Sequence, residues 1–528
     1  MGTFEGRSLG VINDLTLEER LYLFEHAKVL KEAFEEDNEE VLKHYRIDDP
    51  DFGIYEVFLE DSTRTKESFR NAAKFHHAKV SDLKSDASSI NKGESYADTF
   101  NTLSGYSNTI FIIRSKVEGL CTYLEESLEA YARRNNLKRK PAFINAGDGK
   151  HEHPTQELLD EFTFLEDNDW STQHLHLALI GDLYHGRTVH SKANGLKIFK
   201  NVTVDLIAPA ELAMPETYVH QMQHNGFEVR TFDSIDSYLK QKDVANKWYF
   251  TRPQLERMGD KVLKREAELR RAITFREEFI PLLPPHTICY HPLPRHKEHP
   301  TIPTFLDDTP LNGWERQSIN GMYVRIVLLA LIAGKIGQEF HTEKPPISEE
   351  EDYIIEVPLK DRIAHEKRIS EGVTPIRDGI VIDHILKGYE IPEIRDHMRL
   401  ISTVLELDEG KGGEWVSGGH NGVYKGIIFR PGSYDLDRKH LKRLAAVAPG
   451  STLNLIKGGK VVHKFRLSLP PRIYNFEDLG CTNEMCISHP DHGEGVIARF
   501  YRTQDNTFAC AYCGREHGFK EIWKHTRK

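Results

Sequence analysis

Cysteine is scarce in this chain: six occur among 528 residues, and four of them lie beyond residue 480. So few thiols exclude a disulfide-built scaffold, and close pairs near one end point instead to a bound metal in a reducing compartment. Long apolar runs are missing as well. None is long enough to cross a bilayer, and the opening "MGTFEGRSLGVIND" has neither an apolar segment nor a basic start, so neither membrane insertion nor export is expected. There is no cationic surplus. A formal net charge of −11 argues against a general nucleic-acid binder but permits a local cationic pocket. With 39% hydrophobic and 29% charged residues, the composition is that of a soluble, cytoplasmic, globular protein. Its length suits about three or four domains.

Apolar, β-rich runs recur through the first 340 residues: "IYEVFL" (54–59), "TIFIIR" (109–114), "AFIN" (142–145), "LHLALI" (175–180), "VTVDLIA" (202–208), "WYFT" (248–251) and "TICY" (287–290). Amphipathic helical stretches separate most of them, which predicts α/β parallel sheets covered on both faces. Thr16 and Glu19 form a capping box for an opening helix with Leu17, Leu21 and Phe24 on one face, and "GMYVRIVLLALIAG" (321–334) is a closing helix. "QEFHTEKPPISEEEDY" then reads as a linker, with paired prolines and an acid run. Beyond it, "GIVIDHI", "VYKGIIF", "STLNLI" and "KVVHKFRL" are strand-like and "LDRKHLKRLAAVA" is helical, an α+β pattern.

The polar motifs fall at the ends of the first set of strands, where parallel sheets hold ligands. "DSTRTKESF" passes from a strand into a helix, with Ser62 or Thr63 as N-cap. Arg64 opposes the helix dipole there unless an anion sits opposite, and a phosphate held by amides, hydroxyls and a guanidinium fork would supply it. "GDLYHGRT" imitates a phosphate loop, but Arg187 stands at the lysine position and no strand supplies a Mg²⁺-holding aspartate, so nucleotide hydrolysis is disfavoured. Its arginine suits a bidentate grip on carboxylate or phosphate. His153 precedes Pro154 at a helix start, followed by Gln156; "TRPQLER" places Arg252, Gln254 and Arg257 past a strand, and "HPLPR" (291–295) forms a rigid loop. Arg64, Arg114, Arg187 and Arg252 converging on one crevice of an acidic protein imply small substrates with several negative charges. Separately, "CTNEMC" and "CAYC" give Cys481, Cys486, Cys510 and Cys513, two close pairs suited to a tetrahedral structural zinc site.

In their order and spacing, "STRTK", "HPTQ", "GDLYHGRTVHS", "TRPQ" and "HPLPR" resemble the aspartate carbamoyltransferase catalytic chain from about residue 10 to residue 337. "GIVIDHI", "AAVAPGSTLNLI", "SLPPRI" and the cysteine pairs around "CISH" resemble the regulatory chain of the same enzyme, so the whole resembles a natural fusion of the two. The resemblance implies two Rossmann-like lobes, then an α+β regulatory domain and a small zinc-binding β domain. The carbamoyl-phosphate lobe would span 1–156, completed by the helix at 321–337. The aspartate lobe would span 157–320, an acidic linker 338–369, the regulatory domain 370–466 and the zinc domain 467–528. The implied reaction is direct carbamoyl transfer from carbamoyl phosphate to the L-aspartate amine, an early step of pyrimidine synthesis, with no cofactor at the active site.

The resemblance also assigns residues. Ser62, Thr63, Arg64 and Thr65 would hold the phosphate. Arg114, His153 and Thr65 would stabilise the carbonyl oxygen, and Gln156 would accept from the carbamoyl amino group. Arg187, Arg252, Gln254, Leu293 and Pro294 would read aspartate. Lys92 and Ser88, in a loop from a neighbouring subunit, would complete a shared site in a catalytic homotrimer. Glu60 would bridge Arg187 and Arg257 on domain closure. Asp383, His384 and Lys464 match positions that contact CTP or ATP, and a further triphosphate-responsive lysine aligns near Arg430. Departures exist: Asp61 replaces the usual proline and adds negative charge beside the phosphate, and "EGKGGEWVSGGHNG" is a Gly-rich insertion. Nucleotide regulation and pure assembly both stay open for the regulatory part, as do trimer and hexamer. An ornithine carbamoyltransferase is the nearest alternative, disfavoured by "HPLPR", Arg187 and Arg252; a zinc-ribbon binding module is the alternative of a different class.

Overall fold

A computed structural model describes residues 4–49, 51–83, 89–106, 108–137, 139–254, 265–341, 353–359, 376–405, 407, 412–418, 422–434, 437–503 and 507–523. The chain divides into two compact units, Met1–Glu343 and Lys344–Lys528.

In the first unit β1 (Gly53–Phe58), β2 (Lys79–Asp82), β3 (Asn108–Ser115) and β4 (Ala142–Asp148) form a parallel sheet in the order β2-β1-β3-β4. The strands β5 (His174–Ile180), β6 (Asn201–Ile207), β7 (Glu228–Phe232), β8 (Lys247–Phe250) and β9 (Ile288–Tyr290) form a second, in the order β7-β6-β5-β8-β9. Runs such as Ile110, Phe111 and Ile112, or Leu177 to Ile180, are fully buried because helices cover both faces. Each sheet reverses its strand order once, between β1 and β3 and between β5 and β8. Such switch points open crevices at the strands' C-terminal ends. The helix Trp314–Ile332 returns to the first lobe, packing against the Leu17–Glu35, Thr63–Phe75 and Pro154–Glu166 helices. Of the apolar face expected on the opening helix, Phe24 is buried but Leu17, in its first turn, is exposed. The polar edge strands β2 and β7 lack the apolar runs that marked the others.

In the second unit β10 (Ile354–Glu356), β11 (Gly379–Ile385), β12 (Gly413–Gly418), β13 (Tyr424–Pro431), β14 (Thr452–Lys457) and β15 (Lys460–Leu467) form an antiparallel sheet in the order β10-β15-β14-β11-β13-β12. Its apolar face, with Ile380, Ile382, Ile428 and Leu453, is buried alongside Ile394, Met398, Ile401, Leu441 and Leu444 of the helices Ile391–Val404 and Arg438–Val447. One expectation changes. The segment 338–369 is not wholly linker, because Ile354–Glu356 pairs with β15. Within the Gly-rich stretch after residue 408, Gly413–Gly418 pairs with β13. Four short strands, β16 (Arg472–Ile473), β17 (Phe500–Arg502), β18 (Phe508–Cys510) and β19 (Glu516–His517), make the last sheet.

Candidate active site and metal centre

The two switch points of the first unit face one cleft of about 680 Å³. The loop after β1 contributes Glu60 to Thr65, and the loops after β5 and β8 contribute Arg187, Arg252 and Gln254. His153, Gln156, Leu293 and Pro294 also line it, together with Arg114 at the end of β3. Ser62 is the N-cap of the Thr63–Phe75 helix, yet its hydroxyl makes no capping bond. That hydroxyl and the first-turn amides are therefore disposed for an anion rather than used by the helix. Arg64 makes no ion pair among the described residues.

The cleft concentrates positive charge. Burial, with Arg187 and Arg64 nearby, pushes Arg114 down to about 10; its Nη1 donates to the Ala146 carbonyl at 3.0 Å. Arg187 Nη1 donates to the Gly149 carbonyl at 2.7 Å. Glu60 lies between these arginines, 3.3 Å from Arg114 Nη2 and 3.7 Å from Arg187 Nη1. Glu60 thus stands within ion-pair distance of both Arg187 and Arg114. Arg257 and Ser88 lie outside the described residues. Lys92 is exposed in the Ser89–Lys92 turn and does not line this cleft within one chain.

Burial and the adjacent Arg114 hold His153 well below the usual imidazole range, so the ring is neutral. Thr155 Oγ1 accepts from Arg325 Nη2 at 3.4 Å and lies 3.4 Å from His153 Nδ1. The other ring nitrogen, Nε2, has no partner among the described residues. Gln156 donates from Nε2 to Asp160 Oδ1 at 2.9 Å, and its carbonyl oxygen accepts from no donor among the described residues. Gln254 is anchored by its own N–H to Asp182 Oδ2 at 2.9 Å. Arg325, Gln317 and His291 also line the cleft and escaped the reading of the sequence. For Arg325 a signal existed, a lone arginine in the apolar run "GMYVRIVLLALIAG".

In the second unit, antiparallel register pairs Asp383 with Thr452 and Asn454 with Lys464, which places Asp383 and Lys464 on the sheet face opposite the helices. Lys425 Nζ approaches Asp383 Oδ1 at 2.8 Å, and His384 Nδ1 lies 2.7 Å from Thr452 Oγ1. Burial lowers the His384 pKa, and the nearby Lys425, Lys387 and Lys464 lower it further. Arg430 does not join this group. It is buried on the helix face, 3.0 Å from Glu414 and 3.1 Å from Ser402.

Cys481, Cys486, Cys510 and Cys513 are all buried, their sulfurs within 4.8 Å of one another. Tetrahedral zinc with Zn–S bonds of about 2.3 Å requires S–S edges of about 3.8 Å. Cys481–Cys513 and Cys486–Cys510 stand at 3.7 and 3.8 Å, so the thiol set fits the metal. Four protein ligands fill a tetrahedron and leave no open position for a reacting water, as in a structural site.

Family models match four consecutive stretches of the chain. The carbamoyl-P binding domain of aspartate/ornithine carbamoyltransferase matches residues 7–166 and the Asp/Orn binding domain 173–332. Together with the two-lobed fold and its cationic cleft, these define a carbamoyltransferase. The allosteric and metal-binding domains of the aspartate carbamoyltransferase regulatory chain match 371–468 and 471–523. Protein PyrBI of Treponema denticola is 67% identical over 526 residues, covering 98% of each chain; Protein PyrBI of Thermotoga maritima is 51% identical, covering 98% of this chain and 99% of the other. The crystal structure of aspartate transcarbamoylase from Trypanosoma cruzi in complex with carbamoyl aspartate and phosphate is 30% identical, with a TM-score of 0.53, covering 63% of this chain and 98% of that one. The chain belongs to the aspartate carbamoyltransferase family, with catalytic and regulatory chains joined in one polypeptide.

Proposed function

We propose that the cleft transfers the carbamoyl group of carbamoyl phosphate to the α-amine of L-aspartate, giving N-carbamoyl-L-aspartate and phosphate. The observation that carries this is the convergence of Arg64, Arg114, Arg187 and Arg252 on one cleft that also holds the neutral His153, whose Nε2 has no partner among the described residues. Ser62, Thr63, Arg64 and Thr65 bind the phosphate with hydroxyls, first-turn amides and a guanidinium. The neutral amine attacks the carbamoyl carbon, and negative charge collects on the carbonyl oxygen. Arg114, Thr65 and His153 Nε2–H stabilise that charge, donors held in place before the reaction starts. Gln156 accepts from the carbamoyl amino group. Arg187, Arg252 and Gln254 hold the two aspartate carboxylates beside the Leu293–Pro294 backbone. The C–O bond to phosphate then breaks, and the departing phosphate takes the amine proton. Orientation and fixed positive charge supply the acceleration without a covalent intermediate.

The test separates the two halves of the cleft. Arg64→Ala should raise KM for carbamoyl phosphate far more than KM for aspartate, and Arg252→Ala should do the reverse. Equal effects on both substrates would contradict the assignment.

We further infer a homotrimer in which Lys92 and Ser88 of one chain complete a neighbour's cleft, since the exposed Lys92 has no place in the cleft of its own chain. Mixing Lys92→Ala chains with Arg64→Ala chains should restore activity, because some shared sites then carry neither lesion; no recovery would contradict sharing. The lysines gathered around Asp383 and His384 favour a nucleotide triphosphate on that sheet face, with pairing of the regulatory domains joining trimers into a hexamer. The buried reduced thiols suit the cytoplasm.

A further inference from the structure

One carboxylate sits where the separate parts of the cleft meet. Asp160 is fully buried, one turn beyond Gln156 in the Pro154–Glu166 helix. Its Oδ1 accepts from Gln156 Nε2 at 2.9 Å and from Gln317 Nε2 at 2.6 Å. Its Oδ2 accepts from Lys192 Nζ at 2.7 Å and from Tyr249 Oη at 2.8 Å. Lys192, also fully buried, holds Glu157 at 2.5 Å as well. Lys192 and Tyr249 come from the second lobe. Gln317 comes from the returning helix, and its Oε1 accepts from the His291 N–H at 2.9 Å, fixing the start of the loop that carries Leu293 and Pro294.

A carboxylate only accepts, so Gln156 must turn its amino group toward Asp160 and its carbonyl away. We propose that Asp160 is a positioning residue that presents the Gln156 carbonyl to the carbamoyl amino group, and thereby sets the preference for a carbamoyl donor over an acyl phosphate with methyl in place of that amino group. The inference rests on the role given to Gln156 above. The carbamoyl amino group donates a hydrogen bond and a methyl does not, so a correctly turned carbonyl favours the first and is indifferent to the second. Lys192 makes the arrangement sensitive to substitution at Asp160. It can only donate, so with an amide in place of the carboxylate it claims the single remaining oxygen and turns the new NH₂ toward the glutamines. Gln156 then flips, and its own NH₂ opposes the carbamoyl NH₂. Gln317, whose carbonyl stays on the His291 N–H, keeps its NH₂ against the new amide whether residue 156 is Gln or Glu, so that cost cancels when the two variants are compared.

The experiment compares KM for carbamoyl phosphate with the competitive inhibition constant of acetyl phosphate, in the full-length chain. Asp160→Asn should cut the preference for carbamoyl phosphate about tenfold or more while leaving acetyl phosphate binding nearly unchanged. Gln156→Ala should remove the same preference. The charge-conserving exchange Asp160→Asn with Gln156→Glu should recover it, since the carboxylate at 156 accepts from the new amide with one oxygen and faces the cleft with the other. Preference retained in Asp160→Asn but lost in Gln156→Ala would overturn the positioning role alone. Preference retained in Gln156→Ala would overturn the reading of Gln156, and this proposal with it. If Asp160→Asn does not fold, the exchange variant decides: a folded protein without the preference would overturn the proposal.

Discussion

Removing zinc should unfold the last domain and leave the catalytic unit standing. The metal-binding match covers about fifty residues, 471–523, whose large buried apolar side chains include Phe476, Phe500, Phe508, Ile522 and Trp523. A core in a domain of that size rarely contributes more than about 3–5 kcal/mol of net stability. Zinc held by a complete thiolate set contributes on the order of 10–16 kcal/mol at neutral pH. That loss exceeds everything a core of this size contributes, so the metal-free domain should be unfolded. The loss should appear first where backbone bonds depend on the cysteine turns, such as Cys510 N–H to the Arg515 carbonyl and Gly514 N–H to the Cys510 carbonyl, both 2.9 Å. It should also release Trp523 from the edge of Phe476, 5.1 Å between ring centres. The assay is a mercurial titration of the full-length chain with a chromogenic chelator, followed by amide exchange. About one zinc per chain should be released, with protection lost across 471–523 and kept in β4. Cys510→Ser should reproduce the result without a reagent. Protection that survives metal removal, or release of clearly less than one zinc per chain, would refute the reasoning.

Two further outcomes follow from packing and charge in the catalytic unit. A Cβ on Gly195 would stand 1.9 Å from Glu157 Oε1 and 2.6 Å from its Cγ, and Glu157 is held by its buried pair with Lys192. Gly195→Ala should therefore destabilise the unit by about 3 kcal/mol in denaturant titration; a change near zero would mean the pair moves freely. His76 donates from Nε2 to the Ile326 carbonyl at 2.9 Å, and burial pushes its pKa down to about 4. The unfolded imidazole keeps a value near 6.5, so between about pH 6.5 and 4 the unfolded state binds more protons. Stability should fall as pH drops through that window, with His76 contributing about 3 kcal/mol over its full extent. His76→Gln should flatten that part of the slope, and an unchanged slope would contradict the assignment.

The anion loop was legible because its residues are locally unfavourable: a cation in the first turn of a helix calls for an explanation, and a Ser62 hydroxyl that makes no capping bond bears on the same question. The inner strands were legible because burial on both faces leaves apolar runs. The edge strands β2, β7 and β12 were not, since their polar or glycine-rich letters resemble a loop, and β10 is only three residues long. Gly413–Gly418 is a strand because Tyr424–Pro431 offers it a ladder, which its own glycine-rich letters do not reveal. Least legible was the buried ionic group. Arg20 and Glu161 pair at 2.8 Å inside the protein, near Glu157, Asp160 and Lys192. Read locally, each is an ordinary polar helix residue, and only the packing of distant segments takes them out of water. Gln317 and His291 were missed for the same reason.

The most direct test of the central claim is phosphate release from carbamoyl phosphate by the full-length protein, with L-aspartate in one reaction and L-ornithine in another. Turnover with aspartate alone, abolished by Arg64→Ala, is the predicted result. Turnover with ornithine but not aspartate, or aspartate turnover that survives Arg64→Ala, would contradict the reading of the cleft.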